Sequence, residues 1–200
     1  MKTIVEKINR TRFVKTYTVY SDRTIVLLVK GRKKQKIRVV VKLTQPGGNA
    51  NIIGIVVGDK SDHIELETFQ DHKKAETTSN LLVKSLLKGS ASFVYDGAIR
   101  VARRAQKTDA YQRNENLLLS DSAHAESKPK LEILANDVRC THGATIGSLR
   151  EDELWYLASR GIAKKEAGQL IAQGFLASAV TRVTDAEAQK MVYSFIERAI

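Results

Sequence analysis

LEILANDVRCTHGATIG, residues 131–147, marks the point where strand-like sequence gives way to helix-like sequence, and it holds the chain's only cysteine, Cys140, two residues before His142. Upstream, short apolar pieces recur at Ile64 to Phe69, Leu81 to Val83, Ala91 to Tyr95, Ala98 to Val101, Asn116 to Leu119 and Leu131 to Leu134, each followed by small polar or charged residues. Many short strands at near-regular spacing suit a sandwich, a barrel or a β-solenoid. Tight two-residue hairpin turns are scarce after residue 60, so a solenoid of stacked parallel strands is the favoured reading. No strict repeat period is visible.

Nearer the N-terminus, Arg23 to Lys30 (RTIVLLVK) and Ile37 to Leu43 (IRVVVKL) read as the two strands of a hairpin around Gly31. In the second, Ile37, Val39 and Val41 share one face. Pro46-Gly47-Gly48-Asn49 is a strong turn signal, and Asn51 to Val57 (NIIGIVV) follows as a buried strand. Downstream of Gly147 the texture changes. Ser148-Leu149-Arg150-Glu151 has the form of a capping box, predicting a helix that Gly161 ends in a left-handed cap. A second helix is expected from about Lys164 to Val180, and Thr184-Asp185-Ala186-Glu187 opens a third whose apolar face includes Ala188, Val192 and Phe195. The expected organisation is a β core over residues 1–147 and a helical unit over 148–200.

Two hundred residues with 42% hydrophobic content can build one sizeable core. Neither a membrane-length apolar run nor a signal-like N-terminus is present, so a soluble, cytoplasmic protein is expected. The net charge of +11 is uneven: residues 1–110 carry +12 and residues 111–200 carry −1. Much of the excess lies in Lys30 to Lys42, KGRKKQKIRVVVK. Such a cluster either binds phosphates or an acidic partner, or forms a solvated hairpin tip whose lysines keep sheet edges from pairing; the second is favoured.

Cys140 and His142, two apart on an extended strand, leave the same side and could reach one iron or other metal. The set is incomplete, because the chain has no other closely spaced Cys or His, so further ligands must come from another chain. The competing reading is a buried cysteine beside a hydrogen-bonded histidine. His63, His72 and His124 lie in polar surroundings and are expected at the surface. No phosphate-binding glycine motif and no nucleophile elbow occurs, so no nucleotide is expected on this chain.

Four blocks in order, Thr77 to Val101, Ala105 to Ala123, Lys128 to Gly147 and Glu153 to Ile162, closely resemble the core domain of the SufB/SufD family, scaffold proteins of the SUF iron–sulfur cluster assembly system. The resemblance implies a right-handed parallel β-helix capped by a C-terminal helical domain. It further implies a non-catalytic scaffold subunit, paired with a SufB-like subunit or a second copy of itself and docking a SufC-like ATPase, with a transient iron–sulfur cluster at the subunit interface. The C-T-H-G-A-T at Cys140 to Thr145 is similar to the C-S-H-G-A-T of SufD, and the SufD-type interface histidine falls on His142, with Cys140 as a second candidate. The SufB-type cysteine falls near Ala123, where there is no thiol, and few residues precede the matched region, so a short SufD-like form is expected. For the ATPase, the resemblance points to Leu154, Trp155, Tyr156, Arg160, Gly161 and Phe175. The alternatives are a basic nucleic-acid-binding β-protein and a stand-alone thiol enzyme using Cys140 and His142.

Overall fold

The computed structural model describes residues 2–200. Eleven strands form two parallel sheets, and successive strands alternate between them. One sheet stacks β1 (Lys2–Ile8), β3 (Arg23–Lys30), β5 (Asn49–Gly58), β7 (Thr78–Leu87), β9 (Thr108–Leu118) and β11 (Val138–Ser148) in that order. The other stacks β2 (Arg12–Val19), β4 (Gln35–Leu43), β6 (His63–His72), β8 (Ser92–Val101) and β10 (His124–Ile133). Each pair of strands is thus one rung of a β-solenoid.

This corrects the expected hairpin. β3 pairs with β1 and β5, whereas β4 pairs with β2 and β6, so Gly31 to Lys34 is a corner between sheets. A strand that turns such a corner cannot pair with its successor, and the chain must travel a whole rung before it meets itself. Two strands precede the region read as strand from the sequence, β1 and β2.

Inside the solenoid, register stacks like on like. Ile25, Ile52 and Leu81 form one column and Val39 lies beside Ile37 and Val41 in another layer of the same core. The odd-numbered sheet is buried on its outer face as well, because the helices α2 (Lys164–Ala177) and α3 (Ala186–Ala199) lie against it. Val26, Leu28, Ile53, Ile55 and Leu82 there meet Ala172, Leu176, Val192 and Ile196. Strands buried on both faces need continuous apolar sequence, as in RTIVLLVK and NIIGIVV, while β4, with one wet face, alternates. Lys84 fastens the two units: its ammonium donates to Phe175 O (3.0 Å) and Ser178 Oγ (2.6 Å), and pairs with Glu115 (2.7 Å).

The helix boundaries differ in detail from those expected. Ser148 is the last residue of β11 and caps nothing; α1 (Glu151–Ser159) starts after Arg150, which makes an ion pair with Asp152 in place of a side-chain cap. At α3 the cap is Asp185, whose carboxylate accepts from Ala188 N at 2.8 Å. Gly161, at φ +84°, ends α1 as expected.

Candidate functional site

β11 is the last strand of its sheet and β10 the last of the other, so the solenoid ends in an open mouth between two edge strands. In β9 the inward row is Ala110, Gln112, Asn114 and Asn116, all buried. Cys140 is in register with Ala110 and His142 with Gln112, so both side chains belong to the inward row of the final rung. No bend at Gly143 separates them, because β11 runs unbroken from Val138 to Ser148.

Their surroundings differ because the mouth is covered on one side only. Cys140 packs against a small cluster of Ile99, Val101, Ala105, Ala110 and Ala135, beneath the corner that joins β10 to β11. Burial pushes its thiol up, with a smaller upward push from Asp109, against an opposing backbone hydrogen bond at Ala110. That direction is opposite to what a thiolate nucleophile requires. His142, further along the strand, is exposed.

Beneath this rung lies a polar layer. Gln112 Nε2 donates to Gly97 O (3.2 Å) and Gln70 Nε2 to Gln112 Oε1 (3.3 Å). His72, expected at the surface, is fully buried, with Nδ1 2.8 Å from Thr77 Oγ1 and Nε2 2.8 Å from Ser79 Oγ. Burial pushes its pKa down to about 4, so it is neutral at physiological pH. The signal was present in the sequence: Ile64, Leu66, Thr68, Gln70 and His72 alternate in one phase, and the phase places His72 inside. His63 and His124 lie on the rim of the other sheet, part-buried and exposed respectively.

The mouth itself is apolar. Leu131 and Ile133 of β10 are 38% and 39% exposed, although Ile99 and Val101, their register partners one rung below, are 0% exposed. Ile146, in register with the inward-facing Asn116, is 49% exposed on the same surface. These side chains occupy core positions that no further rung of this chain covers. Pro129, in the middle of β10, has no N–H to give and fits an edge strand. Among the described residues no group of three or more His, Cys, Asp or Glu could hold a metal ion.

At the other candidate surface, α1 buries none of its residues. Trp155 is 73% and Tyr156 54% exposed, and the Arg160 guanidinium lies 5.4 Å from the Tyr156 ring centroid. Leu154, Trp155 and Ala158 line a small hollow with Glu151 and Lys164. Phe175 stands apart, in the last turn of α2, roughly 16 Å along the helix from Lys164. Its ring lies 4.2 Å from the Lys84 ammonium and packs into the seam between helices and sheet. No helix is long and apolar enough to cross a membrane among the described residues.

Known proteins resemble the chain over most of its length. The family described as SUF system FeS cluster assembly, SufBD core domain, matches residues 10–175. The Escherichia coli iron–sulfur cluster assembly protein SufD is 36% identical over 137 residues, covering 68% of this chain and 32% of that protein. The Bacillus subtilis SufD is 31% identical over 153 residues, 76% of this chain and 35% of its own length. A SufBD family protein of Mycobacterium leprae is 29% identical over 168 residues, 80% of this chain and 43% of its own. The chain thus spans about a third to two-fifths of these relatives. With the matched residues running from the second strand into α2, the chain belongs to the SufBD core family of SUF-system iron–sulfur cluster assembly proteins, as a SufD-like member.

Proposed function

We propose that the chain is a scaffold subunit for iron–sulfur cluster assembly that pairs through its open mouth with a SufB-like subunit or a second copy of itself. The observation that carries this reading is the uncovered final rung, where two edge strands and exposed core-type residues surround His142. Unpaired strand edges and apolar surface are what a second solenoid end can cover, by strand addition and burial together. In that assembly His142 donates a ring-nitrogen lone pair to iron or to a nascent cluster, which is cargo, and the partner supplies cysteine or carboxylate ligands. Cys140, half-buried with its thiol held up, supports the rung and is the lesser ligand.

The exposed face of α1, Leu154 to Arg160, is the proposed docking surface for a SufC-like ATPase, with Gly161 setting the helix end and Phe175 anchoring α2 behind it. The scaffold itself catalyses nothing in this reading. The test is coexpression with a SufB-like partner and an ATPase, comparing His142→Ala, Cys140→Ala and the double variant Trp155→Ala/Tyr156→Ala with the parent. His142→Ala should lower iron and sulfide content with the complex intact, and the α1 double variant should lose the ATPase while keeping the pair. Normal cluster content in His142→Ala would refute the site.

A further inference from the structure

The two ends of the solenoid are built differently. β1 and β2 are edge strands just as β10 and β11 are, so among the described residues no strand pairs with the outer edge of the opening rung. Its core-facing residues are nevertheless covered. Ile8, Phe13, Tyr17 and Val19 are at most 8% exposed and belong to the main core, whereas Leu131, Ile133 and Ile146, inward residues of the final rung, stand open. Charged side chains do the covering. Glu6 is in register with Leu27 and Lys15 with Val39, both buried in the core, so each charge occupies an inward position, one on each sheet. The Lys15 ammonium reaches across the interior and pairs with the Glu6 carboxylate.

Cations also lie over the aromatic rings of this rung. Lys15 Nζ is 5.2 Å from the Tyr17 ring centroid and the Arg10 guanidinium 5.8 Å from that of Phe13. Long charged side chains of this kind cover apolar surface with their stems and keep their heads in water, and the Lys15 and Glu6 side chains retain 43% and 19% of their surface. A further rung laid on this end would take both ions out of water. Their mutual attraction offsets that cost only where the remaining lone pairs and protons also find partners. Charges that point inward from an edge strand bar strand addition, and polar end units terminate a solenoid.

The bar has a consequence because strand direction alone would permit growth. Every pairing within each sheet is parallel, so the opening rung of one copy set on the mouth of another would follow β11 with β1 and β10 with β2, as one more parallel rung. A head-to-tail contact of that kind does not close on itself and builds fibres. We propose that the Glu6–Lys15 pair, with Arg10 and Lys15 over Phe13 and Tyr17, is a built-in stop that prevents the opening end from seating on a mouth. The mouth then takes only a partner that presents a mouth of its own, and the stack of solenoids ends at two. The inference rests on the proposed use of the mouth as the pairing surface.

The experiment measures the mass of the full chain by light scattering over rising concentration. Glu6→Leu/Lys15→Leu removes the stop and leaves the net charge at +11. The parent should level off at about two chain masses or fewer, and this variant should climb past about three without levelling. Leu131→Lys/Ile133→Lys added at the mouth should return it to the parent's plateau, whereas the charge-matched Leu170→Lys/Tyr193→Lys, at exposed helix positions, should not. Circular dichroism verifies each fold, and Glu6→Gln/Lys15→Met, equally neutral in net charge, takes the place of the leucine variant if that one does not fold. Levelling of the stop-free variant where the parent levels overturns the proposal, as does unlimited growth of the parent or growth that survives the mouth substitutions. A parent that stays monomeric while the stop-free variant grows supports the stop and refutes self-pairing through the mouth, so the two failures are told apart.

Discussion

A buried neutral histidine makes stability depend on pH in a way that can be isolated by one substitution. His72 has a folded pKa pushed down to about 4 by burial, against an ordinary value of 6.5. The unfolded chain therefore binds a proton that the folded chain refuses, and the loss of stability begins as pH falls through 6.5 and is complete below about 4. Between about pH 7.5 and about pH 5 the two titrations differ by some 1.4 logarithmic units, or about 2 kcal/mol, and the full loss is roughly 3 kcal/mol. Carboxylates also destabilise the fold on acidification, so the comparison is made as a difference of differences. Urea denaturation of the parent and of His72→Gln at both pH values gives four free energies. His72→Gln costs about 1 to 2 kcal/mol at the higher pH, from the hydrogen bonds to Thr77 and Ser79. The parent should then lose about 2 kcal/mol more than the variant on acidification. Equal losses, within roughly 0.5 kcal/mol, would refute the assignment of His72 as buried and neutral.

Other substitutions probe the packing. At Gly97 an added Cβ would lie 2.4 Å from Gln112 Nε2 and from Tyr95 Oη, both on buried side chains, so Gly97→Ala should cost about 2 to 3 kcal/mol in chemical denaturation. Lys84→Met removes the ammonium from Glu115, Phe175 O and Ser178, leaving Arg113 as the carboxylate's partner; a loss of about 2 kcal/mol and earlier proteolysis within the helical unit are expected. Asp185→Ala removes the cap of α3 and should cost about 1 kcal/mol, while Asp185→Asn should retain most of it.

The class of the fold was legible because the strands carry it locally. Runs such as NIIGIVV, buried on both faces, and IRVVVKL, with one wet face, differ in texture for the reason that helices cover one sheet only. The repeat was not legible because the rungs change length. Lys2 pairs with Arg23 and Arg23 with Ala50, spacings of 21 and 27 residues, and later pairs Ser79 with Ala110 and Ala110 with Cys140 are 31 and 30 apart. Corners absorb the differences, and a period search sees only drift. The hairpin misreading of β3 and β4 has the same origin, since two neighbouring strands and a short polar link look alike whether the chain doubles back or turns a corner. At the site, the Cys140 and His142 pairing on one face followed from strand geometry, and β11 carries that geometry unbroken through Gly143. What separates the two residues is how far the β10 to β11 corner reaches over the mouth, a property of the neighbouring rung that their own sequence does not encode.

A stack of rungs on its own behaves as a chain of nearest-neighbour interactions, in which the terminal units fray first and opening spreads inward. Here the polypeptide winds through both sheets, rung by rung, to β11 and then descends along the outer face of the odd-numbered sheet, so that Phe195 and Ala199 of α3 border one pocket with Ile8 and Leu28 of the opening rungs. Lys88 Nζ adds a hydrogen bond to Ala199 O at 3.2 Å. The last helix thereby clasps the first strands, and residues nearly two hundred positions apart share one cooperative unit. β1 can detach only when α3 lets go, so amide hydrogens of β1 and α3 exchange together, at a rate set by release of the clasp and not by fraying of an end.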